Sequence, residues 1–169
     1  MLIVIAEEKE LELVKEAHYF DPPILITGPG IANVMKALKD IPRDTYIINI
    51  GYAGGHKLEV GKWYDVSQCQ FYHEVADFYE LGTYLQDKGE VCFTSTDFVT
   101  KTNKSYPCLF DMELAAICSM GFKKVRSMKK VSDNLNYEEF KEKTKKQITR
   151  DLKNTNSTTP IDNMPDVDI

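Results

Sequence analysis

The chain has 169 residues, a net charge of -5 and a sequence pI near 5.3, with 43% hydrophobic and 28% charged residues. That length and composition suit one soluble globular domain with a full hydrophobic core and leave no room for two comfortable ones. The acidic balance argues against a nucleic-acid partner, which would need a basic face, and no stretch approaches the roughly 20 apolar residues that span a bilayer.

The first six residues, Met-Leu-Ile-Val-Ile-Ala, are too short for a signal h-region and lack a basic segment before them, so a cytoplasmic protein is expected. Residues 2–6 are a continuous apolar run bounded by charge, which suits a buried strand of a parallel sheet. Residues 8–18 place Leu11, Val14 and Ala17 at helical spacing. Pro22-Pro23 breaks the chain, and residues 24–27 read as a second strand. After the Gly28-Pro29-Gly30 turn, Ile31, Val34, Ala37, Leu38 and Ile41 predict a second helix. Residues 46–50 predict a third strand that runs into Gly51-Tyr52-Ala53-Gly54-Gly55.

Further strands are predicted at 63–72, 90–94 and 123–131, and a helix at 110–120 with Gly121 as the residue that ends it. Asn134 or Asn136 can cap a last helix over 137–153, rich in Glu and Lys at i,i+4 spacing. From 154 to 169 the composition shifts to Asn, Ser, Thr, Pro and Asp, the pattern of a flexible tail. The β-α-β-α-β order of the first fifty-odd residues predicts an α/β fold. Its expected form is a single domain over 1–153, with a mixed, largely parallel central sheet flanked by helices.

Cys69, Cys92, Cys108 and Cys118 form no CxxC pair and no metal-ligand spacing with the three histidines. They read as reduced thiols in or near the core, and neither a metal nor an organic cofactor is expected. Lys123, Lys124, Arg126, Lys129 and Lys130 are the dense basic run, and they read as a solvated strand edge.

In an open α/β sheet, ligands collect outside the carboxyl ends of the strands. Four segments fall there: residues 6–10, Gly28 to Gly30, Gly51 to Gly55, and Ser132-Asp133. Gly28-Pro29-Gly30-Ile31-Ala32-Asn33 lacks the third glycine of a dinucleotide fingerprint, and the following strand ends in Asn49-Ile50 rather than in an acid. Three carboxylates share this rim: Glu10, Glu113 and Asp133. Each alone has a plain reading, with Glu10 on a solvated acidic face, Glu113 in a first helical turn favoured by the macrodipole, and Asp133 as an N-cap or turn residue. Their joint placement points to a site.

Several segments, in chain order, resemble one family. Residues 6–11, Ala-Glu-Glu-Lys-Glu-Leu, resemble an N-terminal Ala-Met-Glu-Glu-Glu-Val signature. Residues 48–55, Ile-Asn-Ile-Gly-Tyr-Ala-Gly-Gly, with Val60-Gly61-Lys62 after them, are similar to Asn-Thr-Gly-Ser-Ala-Gly-Gly and Val-Gly-Asp. Tyr72-His73-Glu74, the 94–99 segment Thr-Ser-Thr-Asp-Phe-Val, the 111–117 segment Asp-Met-Glu-Leu-Ala-Ala-Ile, and Val131-Ser132-Asp133 complete the set. Together they resemble the methylthioadenosine/S-adenosylhomocysteine nucleosidases of the nucleoside phosphorylase/nucleosidase superfamily.

The resemblance implies cleavage of a purine N-glycosidic bond, with a small-molecule purine nucleoside as substrate, no nucleic acid or membrane as partner, and a homodimer as the assembly. Asp133 would supply the proton at purine N7, which requires a dry site, and Glu10 would orient and deprotonate the attacking water. Glu113 would accept hydrogen bonds from the ribose hydroxyls, and Met112 would pack on the sugar. Phe98 would stack on the base, the Val99 backbone would read its edge, and Gly54 and Tyr52 would lie against the ligand.

Three features depart from the family. Tyr52 stands where it has Ser, Lys129 stands where it has Arg, and the chain is shortened after the first predicted helix and between Phe78 and Glu90. Four readings stay open: a nucleosidase, a phosphorylase, a homologue that binds a nucleoside without turning it over, and an unrelated flavodoxin-like binding domain. The shortage of arginine, with Arg43 alone in the first hundred residues, favours water over phosphate as nucleophile.

Overall fold

The computed structural model describes residues 1–19, 21–73 and 82–136. The helix expected at 137–153, the tail at 154–169 and Glu74 lie outside the described residues.

Eight strands are described: β1 (Leu2–Ile5), β2 (Ile24–Ile26), β3 (Tyr46–His56), β4 (Trp63–Phe71), β5 (Thr83–Tyr84), β6 (Glu90–Thr94), β7 (Cys108–Asp111) and β8 (Lys124–Asp133). Three helices accompany them: α1 (Leu11–Glu16), α2 (Ile31–Leu38) and α3 (Leu114–Ser119). β1 runs parallel to β2 and β3, β8 parallel to β3, and β6 parallel to both β4 and β7. Antiparallel pairs join β3 to β7, β4 to β5 and β4 to β8. The sheet is therefore mixed and largely parallel, as the sequence predicts. Its closure is not predicted: β3, β7, β6, β4 and β8 pair in a ring, a five-stranded barrel from which β1 and β2 extend.

The barrel interior is filled by one or two side chains from every strand of the ring: Ala53, Val66, Cys69, Cys92, Leu109 and Val131, with Leu114 of α3 among them. Cysteines and small branched residues suit so narrow a ring, and strand alternation supplies them. Outside, α2 and α3 pack on Val4 and Ile47 through Val34, Leu38, Ala116 and Ile117. On the opposite face α1 covers Ile3, Ile5, Ile48 and Ile50 with Leu13 and Val14. No helix of the described residues is long and apolar enough to cross a membrane.

Four elements differ from expectation in ways that shape the site. The predicted helix at 8–18 divides into a 3-10 turn, Glu8–Glu10, and α1. The glycine-rich segment after residue 50 continues β3 rather than leaving it. Cys108 to Asp111, expected as loop and helix start, is the buried strand β7, so Glu113 is the N-cap residue of α3 rather than part of its first turn. Asp133 is the last residue of β8 rather than the residue after it.

The pairing of β3 creates a gap. β8 follows one edge of β3 from Tyr46 to Gly54. On the other edge β1 arrives in parallel and ends its pairing at Asn49, while β7 arrives antiparallel and ends at Gly54. The two strands meet head-on, and residues 50–53 of β3 have no strand partner between them.

Candidate active site

Glu10 enters this gap. Its Oε1 accepts the Tyr52 N–H at 3.0 Å, replacing the ladder bond that neither β1 nor β7 supplies. Its Oε2 accepts the Ala6 N–H at 2.7 Å and the Glu7 N–H at 3.2 Å. A carboxylate offers about four acceptor positions, so a buried Glu10 with three donors retains roughly one for a water or hydroxyl. Gly51 is required here, because a Cβ on it would stand 2.9 Å from Glu10 Oε1.

Glu113 stands where β7 gives way to α3, and it reaches the start of α2. Its Oε1 accepts the Gly30 N–H at 2.8 Å, at the start of α2, and its Oε2 accepts the Met112 N–H at 3.3 Å. Burial, with the charge of Asp111 beside it, pushes the Glu113 carboxyl up to about 7, while Lys129 and the Gly30 N–H pull the other way and Glu10 adds to the rise. Glu113 thus lies within reach of the Glu10 charge.

Beneath Glu113 lies a buried ion pair. Lys129 Nζ stands 2.8 Å from Asp111 Oδ2, with 1% and 0% of the two side chains exposed. Thr94 Oγ1 donates to Asp111 Oδ1 at 2.5 Å, and Asp111 Oδ2 accepts the Leu114 N–H at 3.0 Å. Thr94 Oγ1 also accepts the Ala115 N–H at 2.8 Å. Asp111 and Thr94 thereby cap the first turn of α3 and fix the Met112-Glu113 dipeptide that precedes it. Burial alone would lower the Lys129 ammonium, but Asp111, with Cys92 and Glu113, outweighs it and holds the group above its ordinary value. Lys129 is therefore an interior charge, not part of a solvated basic edge. That basic run is dispersed further: Arg126 pairs with Asp65, Lys130 with Glu16, and Lys124 lies over the Tyr46 ring.

Asp133 reaches its place through a β-bulge. The β3–β8 register shifts after Ala53, so Gly54 faces Asp133 rather than Ser132. Asp133 is 0% exposed, its Oδ1 accepting the Leu135 N–H at 2.9 Å and its Oδ2 accepting from Ser132 Oγ at 2.5 Å. Bonding to the N–H two residues on is the Asx-turn habit of aspartate, the plain reading of this residue.

Beside Gly54 lies a small cavity of about 40 Å³, lined in part by Phe98, Val99 and Met112. Four residues named from the sequence thus share one wall, and Asp133 packs behind it against Gly54 and Leu135. Asp97, Phe110, Asp111 and Leu135 complete the lining and were not expected there. The candidate site therefore has two parts: the gap that Glu10 enters, with Glu113 in electrostatic reach of it, and a small cavity of mixed lining backed by Asp133. The Met112-Glu113 dipeptide links them, since Met112 lines the cavity and Glu113 feels the Glu10 charge.

Tyr52 is placed differently from the expectation that its side chain lies against a ligand. It offers Glu10 its backbone N–H, while its ring joins Trp63 and Met128 on the hydrophobic cluster under α1. Strand alternation explains this, since Tyr52 shares the face of Ile48 and Ile50 rather than that of Gly51. Burial, with the charges of Glu16 and Glu10 nearby, raises its phenol above the ordinary value.

No protein-family profile and no curated protein sequence matches the chain. Solved structures do. A methylthioadenosine/S-adenosylhomocysteine nucleosidase from Colwellia psychrerythraea, in complex with adenine, is similar with a TM-score of 0.63 at 18% identity, over 83% of this chain and 86% of that one. A futalosine hydrolase mutant of Helicobacter pylori is similar with a TM-score of 0.65 at 13% identity, over 90% of this chain and 96% of that one. A methylthioadenosine/S-adenosylhomocysteine nucleosidase of Streptococcus pneumoniae, with a transition-state inhibitor, gives 0.61 at 16%, over 83% and 90%. This chain has the nucleoside phosphorylase/nucleosidase fold.

Within that fold the two described arginines are engaged away from the gap. Arg43 donates to the carbonyls of Leu38, Lys39 and Ile41 at the end of α2 and lies 4.7 Å over the Phe122 ring. Arg126 donates to Asp65 on β4 at 3.1 Å. The rim of this fold thus carries the Glu10 and Glu113 carboxylates and, beside Gly54, a small cavity lined by apolar residues together with Asp97 and Asp111.

Proposed function

We propose that this chain is a purine nucleoside N-glycosidase that hydrolyses methylthioadenosine- or S-adenosylhomocysteine-like nucleosides to free base and a ribose derivative. The observation that carries the reading is the Met112-Glu113 dipeptide: Met112 lines a cavity with Phe98 and Val99 that a fully buried acid backs, and Glu113 is a buried carboxylate in electrostatic reach of Glu10. A nucleoside has the matching division, a hydroxyl-bearing sugar and a flat base.

In this reading the base lies by Phe98 and the Val99 backbone, and Glu113 accepts from the ribose hydroxyls with Met112 against the ring. As the glycosidic bond breaks, its electron pair stays with the base. Asp133 gives a proton to N7, which makes the purine a neutral leaving group. The sugar becomes oxocarbenium-like, and a water held by the free lone pair of Glu10 adds to it. The proton lost by that water passes to Glu10.

Hydrolysis is favoured over phosphorolysis by the electrostatics of the gap. A phosphate would be drawn to the Gly30 N–H at the start of α2, but the Glu113 carboxylate already accepts that donor at 2.8 Å. With Glu10 in electrostatic reach of it and both described arginines engaged elsewhere, a phosphate would meet repulsion rather than a guanidinium partner. The cavity as it stands is too small for a purine, whether the base is to be cleaved or only bound. At about 40 Å³ the cavity holds a water or two, whereas ligand pockets ordinarily measure roughly 300–1,000 Å³.

The test is release of free base from methylthioadenosine, S-adenosylhomocysteine, adenosine and inosine, followed by chromatography with and without phosphate. Release that needs no phosphate and is lost in Asp133→Asn supports the hydrolase. Release only with phosphate makes the protein a phosphorylase, and saturable binding without release makes it a non-catalytic binder.

A further inference from the structure

We propose that Leu135 sets the size of the base subsite and has to withdraw from it before a purine can enter. The proposal rests on the nucleosidase reading and concerns the same cavity.

Leu135 is buried among Phe93, Cys108 and Phe110, and its side chain lines the cavity beside Gly54. Its Cδ2 lies 2.9 Å from where a Cβ on Gly54 would stand, so the isobutyl group sits on the strand backbone itself. A flat ring approaching Gly54 would need that space. The same residue engages the buried acid, because its N–H donates to Asp133 Oδ1 at 2.9 Å. Space for the base and one oxygen of the proton donor are thus held by a single residue.

The backbone of Leu135 marks it further. Its φ is 63°, in the left-handed region that a branched side chain seldom enters. An Asx turn on Asp133 and packing against Phe110 hold it there, and such over-determined positions concentrate where a structure must change state. Withdrawal of Leu135 would relieve the backbone, open the cavity and release Asp133 Oδ1 together. Apparent affinity for the base is then the intrinsic affinity reduced by the fraction of molecules in which Leu135 has withdrawn.

The experiment compares adenine binding, by titration calorimetry, to the unaltered protein, Leu135→Ala and Leu135→Gly, with cooperative thermal unfolding checked for each. The glycine variant also removes the left-handed penalty, so it keeps the backbone geometry even where alanine does not. Both variants are expected to bind adenine at least tenfold more tightly. Equal or weaker binding by folded variants, with measurable binding to the unaltered protein, overturns the role of Leu135 and leaves the base site standing. Folded proteins that all fail to bind adenine overturn the base site and the role of Leu135 together. Methyl NMR on the unaltered protein gives a second reading that needs no variant. The Leu135 methyl signals, set beside the Phe110 and Phe93 rings, are expected to shift when adenine saturates the protein. Unmoved methyls with adenine bound overturn the proposal.

Discussion

Glu113 takes the Gly30 N–H across 83 residues of chain, at 2.8 Å, and so ties the start of α3 to the start of α2. The bond matters because Glu113 is buried next to Asp111, and its carboxyl is pushed up to about 7 from an ordinary 4.5. The folded state therefore holds this proton more tightly than the unfolded chain does. The stabilisation is complete below about 4.5 and is lost as pH rises through about 7, an effect on the order of 3 kcal/mol. Glu113→Gln, which keeps an acceptor for Gly30 but cannot ionise, is expected to gain on the parent by up to that amount between pH 4.5 and pH 8. Urea denaturation at the two pH values measures it, and a constant difference between the proteins would count against a raised Glu113. Activity should move the other way, since the amide cannot receive two ribose hydroxyls as a carboxylate does.

Lys129 and Asp111 make a different prediction, because each is buried with the other as counter-ion. Lys129→Met leaves the Asp111 charge uncompensated inside the barrel and is expected to cost about 3–5 kcal/mol. Adding Asp111→Asn should restore a substantial part, as the amide oxygen still accepts the Leu114 N–H that starts α3. Denaturant midpoints of the two single variants and the double variant report the coupling. Additive costs would mean that the pair is not an energetic unit.

Gly51→Ala addresses the gap itself. The new Cβ would press within 2.9 Å of Glu10 Oε1, an atom held in place by its bonds to Tyr52 and, through Oε2, to Ala6 and Glu7. The substitution is expected to cost about 1–3 kcal/mol and to lower kcat well before it affects KM. In a Glu10→Ala background the same substitution should be nearly neutral for stability. An undiminished cost there, read from thermal unfolding, would assign the penalty to some neighbour other than Glu10.

These relationships differ in how far the sequence announces them. β1 and β6 are legible as apolar runs bounded by charge, and α2 as Ile31, Val34 and Leu38 at helical spacing. β7 is not, because its four residues abut the apolar Leu114-Ala115-Ala116-Ile117, and periodicity cannot divide a short buried strand from the helix that follows. Gly51 to Gly55 reads as loop because glycine is depleted in strands, yet here small residues are what let Glu10, Leu135 and Val131 approach β3. The rim acids Glu10, Glu113 and Asp133 are visible as carboxylates that open or follow an element on one rim, although the strand before Glu113 is not. Leu135 is not, since its place in the cavity depends on a bulge at Ser132 that no local pattern signals.

Tyr52 gives the last prediction, and it separates backbone from side chain at one position. The hydrogen bond that reaches the gap comes from the Tyr52 N–H, which every residue but proline retains. The ring packs under α1 among Trp63 and Met128, and the phenol, held above its ordinary value by burial, Glu16 and Glu10, stays protonated at neutral pH. Tyr52→Phe should therefore leave both stability and turnover nearly unchanged. Tyr52→Ser loses half-buried aromatic contact and should cost about 1–3 kcal/mol, while kcat/KM on the preferred nucleoside stays within about threefold. Tyr52→Pro removes the donor that Glu10 accepts and should abolish turnover. A serine variant that turns over ten times faster than the parent would show instead that the phenol ring obstructs the site, and the assignment of Tyr52 to the α1 face would have to be abandoned.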